Sequence, residues 1–173
     1  MPSSTFILAV LQHTPVWVWP LLIALLALGV WQAFPRSVTL RRIALLPLSM
    51  LALSLWGVVS VFGSGPALAA WAVGGLAAAA LSLRGGSPPG VRWSATERVF
   101  QMPGSWLPLA LILGIFCTRF GVGVSLALDP ELRHAAGFAV GTSLVYGVFS
   151  GLFAGRAMAL FRRAQPAVQA SLA

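Results

Sequence analysis

A chain of 173 residues that is 58% hydrophobic and only 8% charged, with a mean hydropathy of +0.91, lies far from the roughly 25% charged composition of a soluble domain. It reads as one integral membrane domain over 1–173, with room for about five spans of about 20 residues each. The formal net charge of +8 comes wholly from arginine; such a balance can signal nucleic acid, but arginines set between apolar runs point instead to the positive-inside rule and anionic lipid headgroups, so no nucleic-acid partner is expected.

Residues Ser3 to Leu11 are apolar but lack the basic start and cleavage site of a signal peptide, so they are expected to stay attached as a short surface helix. Thr14 and Pro15 form a helix start, and the first span is expected over about 15–34. Trp17 and Trp19 mark one headgroup level and Trp31 the other, while Pro20 is expected to bend the helix. Arg36, Arg41 and Arg42 follow, then a charge-free run over about 43–63 that reads as the second span. Gly63-Ser64-Gly65-Pro66 leaves room only for a tight turn into the third span, about 67–83.

Residues 84–104 form the one sizeable polar segment. Ser94-Ala95-Thr96-Glu97 matches a capping box, whereas Arg98, Phe100 and Met102 alternate with Val99 and Gln101 as a strand would. The preferred reading is a two-stranded interfacial hairpin, with a short helix as the alternative and Arg92 and Arg98 facing lipid phosphates. The fourth span, about 105–128, opens on Ser105 as N-cap and contains Arg119. Asp129-Pro130-Glu131 is expected to open the last span, about 135–161, with Arg162 and Arg163 ending it and a disordered tail from Gln165. The fold class is therefore an all-α membrane bundle of about five helices.

Within the last span, Ala139, Ser143, Gly147, Gly151, Gly155 and Ala159 recur every fourth residue. Glycine costs about 1 kcal/mol relative to alanine inside a helix, but in lipid such a glycine-zipper stripe lets backbones approach closely. The third span, with Gly74, Gly75 and the run Ala77 to Ala80, is the expected partner, and a second copy of the chain is the alternative. If five spans alternate, nine arginines fall on one side, which should be cytoplasmic, with the N-terminus outside; Arg133 falls on the other side and Arg119 within a span.

Arg119 is the sharpest polar signal, because a mid-span arginine costs at least about 2.5 kcal/mol on the insertion scale. Tyr146, Ser143 and Thr142 lie at similar depth, so these four are the polar-site candidates. The alternative is a structural arginine that snorkels or pairs with Asp129 or a backbone carbonyl. His13, His134, Asp129 and Glu131 fall on one side and could converge on a metal, but the spacing is not diagnostic and the acids already serve as helix-start residues, so no metal is expected. The single Cys117 excludes an intramolecular disulfide and a multi-cysteine metal site. No cofactor motif and no catalytic constellation is present.

The segment His13-Thr14-Pro15-Val16-Trp17-Val18-Trp19, the arginines after the first span, and Pro103-Gly104-Ser105-Trp106-Leu107-Pro108-Leu109 leading to Ile115-Phe116 and Arg119 resemble a family of small uncharacterised multi-pass bacterial inner-membrane proteins. The resemblance covers most of the chain. It implies a membrane location and no activity, and makes Arg119 part of the family pattern. The expected function is a non-enzymatic, accessory or regulatory membrane protein acting on a membrane partner; the alternative is a small transporter with a site around Arg119 and Tyr146.

Overall fold

The computed structural model describes residues 16, 18–86, 90–94 and 99–170. The chain is mostly helical: α1 (Val18–Gln32), β1 (Arg36–Thr39), α2 (Leu40–Phe62), α3 (Pro66–Arg84), β2 (Arg92–Ser94), β3 (Val99–Met102), α4 (Leu107–Leu128), a 3-10 turn (Pro130–Arg133) and α5 (Ala136–Ala170). Four apolar segments, Arg42–Phe62, Pro66–Arg84, Leu107–Leu128 and Ala136–Arg162, are long enough to cross a membrane.

Several expectations need correction. Residues 15 and 17 lie outside the described residues, and the described part of the first expected span is a helix of 15 residues over Val18–Gln32, which at about 1.5 Å per residue covers part of the roughly 30 Å hydrocarbon core. Pro20 lies in its first turn, where the missing N–H is not needed, rather than in the interior where it would bend the helix. The fold is mostly helical, and its strands go beyond the expected hairpin: β1 pairs with β3 and β3 with β2, all antiparallel, in the order β1-β3-β2. The expected hairpin is therefore two strands of a three-stranded sheet, the third supplied by Arg36–Thr39 just after α1. The Ser94–Glu97 capping box and Arg98 lie mostly outside the described residues, as do His13, Thr14, Pro15 and Trp17.

The last helix also differs. Asp129 Oδ1 accepts from the Glu131 N–H at 3.1 Å, but this caps the short 3-10 turn, and α5 starts separately at Ala136. At its far end α5 runs to Ala170, through the arginines expected to end it and the tail expected to be disordered. Ser105 does act at the start of α4, its Oγ accepting from the Leu107 N–H at 3.3 Å. Pro47 lies inside α2 and cannot donate to the carbonyl one turn earlier.

Contacts fix the helix directions. Ile43, at the start of α2, packs with Ala157 and Leu160 near the end of the α5 span, while Phe62 meets Phe138 edge-on at 6.2 Å at the other end, so α2 and α5 are antiparallel. Gly114 lies against Phe149, and Leu111 and Ile112 share a cluster with Phe153, so α4 is antiparallel to α5 as well. The end of α1 meets the start of α4, where the Ser105 N–H donates to the Gln32 carbonyl at 3.3 Å and Gly104 presses on the Ala33 carbonyl. The helices thus alternate in direction along the chain, and the sheet closes one end. The turn between α2 and α3 needs its glycines, since Gly63 and Gly65 have φ of 74° and 133°, which side chains rarely tolerate.

The largest helix contact joins α3 to α5. A Cβ on Gly147 would meet the Trp71 carbonyl, one on Gly151 the Gly75 carbonyl, and one on Gly155 would come within 2.8 Å of the Ala79 carbonyl. Both series advance by four in the same sense, so α3 and α5 run parallel with their backbones in contact along that face. At the sheet end, Phe100 is 1% exposed among Ile43, Val91, Ala157 and Leu160, which anchors β3 to the helices.

Candidate functional site

Among the described residues, polar side chains gather both at mid-span and at the sheet end. Arg119 of α4 reaches across to α2, where its Nη2 donates to the Leu53 carbonyl at 3.0 Å, and its guanidinium carbon lies 5.3 Å from the centre of the Tyr146 ring on α5. Room for the guanidinium comes from Gly57, one turn after Leu53: a Cβ there would stand 2.7 Å from Nη2. Arg119 thus takes a backbone carbonyl and an aromatic face as partners, and by both contacts it joins three helices.

Around Tyr146 the hydrogen bonds continue between helices. Trp71 Nε1 of α3 donates to Ser54 Oγ of α2 at 3.0 Å, Ser54 Oγ donates to the Tyr146 carbonyl at 3.3 Å, and Ser150 Oγ donates to that same carbonyl at 2.9 Å. Of the sequence candidates, Arg119 and Tyr146 are therefore brought together, while Thr142 and Ser143 are buried about one turn before Tyr146 on α5. Ser143 Oγ is fully buried and has no hydrogen-bond partner. Ser54, Gly57 and Trp71 were missed by the sequence reading. A glycine in a charge-free span at the depth of the only mid-span charge was the one signal that could have marked Gly57.

The second place lies at the sheet end. A cavity of about 150 Å³ opens between the end of α1, β1, the start of α2, the segment leading into α4 and the lower part of α5. Three arginines from three elements line it: Arg36 of β1, Arg42 of α2 and Arg156 of α5. Arg36 Nη2 donates to Gln32 Oε1 at 3.0 Å, and the guanidinium sits 5.2 Å from the Trp31 ring centre, which fixes its direction. Partial burial lowers the pKa of Arg36 from its ordinary value by disfavouring the charged form, yet an arginine stays protonated at neutral pH. Ile43, Phe153 and Leu160 make the inner wall apolar, and Arg42 is exposed, so the cavity reaches the surface.

The model of a family of unknown function, DUF6622, matches residues 2–171. The chain belongs to that family. As a DUF6622 member it acquires no activity from the match, and neither a curated protein nor a solved structure matches the chain. The metal reading gains nothing from the fold either: among the described residues no three of His, Cys, Asp and Glu are grouped to hold an ion, and Asp129 is engaged with the Glu131 N–H.

Proposed function

We propose that this DUF6622 protein is a non-enzymatic, accessory or regulatory protein of the bacterial inner membrane, crossing five times with its N-terminus outside and its sheet end in the cytoplasm. The observation that carries the non-enzymatic part is the use of Arg119: the one mid-span charge is taken up by the Leu53 carbonyl and the Tyr146 ring, as a brace between α2, α4 and α5. The orientation is supported by charge. Helix directions bring Arg36, Arg42, Arg84, Arg92, Arg156 and Arg162 to the sheet end and leave Arg133 with Asp129 and Glu131 at the other, and the arginine-rich side of a bundle faces the cytoplasm. A helix as short as α1 crosses with local thinning of the bilayer.

An accessory protein needs a face for its partner, and α2 offers one: Leu45, Leu48 and Trp56 are 71%, 72% and 74% exposed. A photo-crosslinking residue at Leu48, beside one at Leu76 on α3, should give a discrete protein adduct from one face in intact cells. Adducts with lipid alone at both positions would overturn the accessory reading. The transporter reading has one observation in its favour, the buried Ser143 hydroxyl without a partner near Tyr146, and it requires substrate flux in proteoliposomes that Arg119→Lys abolishes while the protein stays folded.

A further inference from the structure

We propose that the cavity at the sheet end is a binding site for the phosphate of an anionic phospholipid, held by Arg36, Arg42 and Arg156; this rests on the membrane-spanning reading above. Several independent features converge. Three arginines line one cavity of about 150 Å³, a size that accepts a benzene-sized group. Among the described residues no carboxylate lines it; Asp129 and Glu131 are at the far end of the helices, and Glu97 lies outside the described residues. Arg36 is held in place before any ligand arrives, by Gln32 and Trp31, and a fixed guanidinium fork matches phosphate oxygens better than a mobile one.

Position identifies the source of the phosphate. Trp31 and Trp106, 56% and 65% exposed, flank the cavity at the end of α1 and the start of α4, and exposed tryptophans mark the headgroup level of a bilayer. The inner wall of Ile43, Phe153 and Leu160 is apolar and the cavity opens at the surface, so the first acyl carbons would find an apolar wall beside the phosphate. A free anion would have no use for an apolar wall. The site therefore fits a lipid with a negatively charged phosphodiester, such as phosphatidylglycerol, and disfavours a zwitterionic lipid, whose ammonium would sit among arginines.

The test begins with washed membranes. Release of the protein by alkaline carbonate would overturn the membrane reading itself and the site with it. With retained protein, purified in detergent, binding of phosphatidylglycerol, phosphatidylcholine and inorganic phosphate is measured by native mass spectrometry and by the shift in melting temperature. Phosphatidylglycerol should bind and stabilise, and each of Arg42→Gln and Arg156→Gln should weaken it about fivefold, from about 1 kcal/mol per arginine near the surface. Arg84→Gln, at the same end but away from the cavity, should leave binding unchanged. Equal loss in Arg84→Gln would show diffuse attraction instead of a site, equal binding of phosphatidylcholine would remove the charge argument, and equal stabilisation by inorganic phosphate would make it a free-anion site; each overturns the proposal. Should Arg156→Gln fail to fold, the exposed Arg42 carries the comparison alone.

Discussion

Alanine substitutions along α5 and α3 separate a packed seam from a lipid-facing one residue by residue. Gly151→Ala places a methyl group against the Gly75 carbonyl, and Gly147→Ala places one against the Trp71 carbonyl. Backbone cannot rotate away as a side chain can, so the helices must part. Gly141→Ala, on the same helix, meets nothing within 4 Å. All three changes gain the same helix propensity, about 1 kcal/mol, so this cancels in the comparison and overpacking remains, about 1–3 kcal/mol. For a chain of this size that is about 2–12 °C in melting temperature, at about 2–4 °C per kcal/mol. On α3 the neighbours differ: a Cβ on Gly74 would stand 2.5 Å from the Leu144 carbonyl, whereas one on Gly75 finds its nearest atom, the Gly147 carbonyl oxygen, at 3.5 Å. The expected order in detergent melts, followed by intrinsic tryptophan fluorescence, therefore puts Gly141→Ala and Gly75→Ala at or above the parent, and Gly74→Ala, Gly147→Ala and Gly151→Ala below Gly141→Ala by that amount. Equal melting temperatures across the five variants would refute the parallel α3–α5 contact.

Arg119→Ala should lower the melting temperature and Arg119→Lys should recover only part of it, since lysine keeps the charge but lacks the planar fork that donates to Leu53 while lying over Tyr146; full recovery by lysine would mean that charge alone matters. Gly57→Leu should displace the guanidinium and reproduce the loss seen in Arg119→Ala, and the double variant should cost less than the sum of the two, as measured by a double-mutant cycle. Phe100→Ala, removing a ring that is 1% exposed, should cost about 3–5 kcal/mol and expose the sheet to limited proteolysis. In a Cys117→Ser background, Ser64→Cys and Gly85→Cys should react with an impermeant thiol reagent from opposite sides of intact cells, Ser64→Cys from outside; labelling from the same side would refute the alternating topology.

The apolar runs, the tight turn at Gly63–Pro66 and the small-residue faces of the third and last spans were legible because each is a local pattern: a charge-free stretch, a pair of glycines before a proline, a spacing of four. What failed was non-local. Nothing in Arg36-Ser37-Val38-Thr39 announces a strand, since four residues between two helices read as a linker until β3 is there to pair with Val38 and Thr39. The end of α5 was misplaced for a related reason. Arg162 and Arg163 mark where an apolar run meets headgroups, but backbone hydrogen bonding does not stop where lipid does, and the helix goes on through Pro166. The cavity at the sheet end is not visible in the sequence, because its three arginines come from positions 36, 42 and 156 and register there only as a charge bias.

Arg119 shows how a local signal can be right about place and silent about purpose. Depth alone paired it with Tyr146, and the two do meet; depth could not show that its strongest partner is the Leu53 carbonyl, because every residue of α2 has a carbonyl, and within a helix each is normally engaged. Two features make this one available. A carbonyl has two lone pairs, so the Leu53 oxygen can accept from Arg119 beside its helical bond, and the missing side chain at Gly57 opens the approach. The consequence is an order of assembly. On an isolated α4 the arginine would cost at least about 2.5 kcal/mol at mid-span, and neither the Leu53 carbonyl nor the Tyr146 ring exists for it until α2 and α5 are packed alongside. A bundle that lacks α2 or α5 leaves the charge without these partners, whereas one that holds α2, α4 and α5 together supplies both.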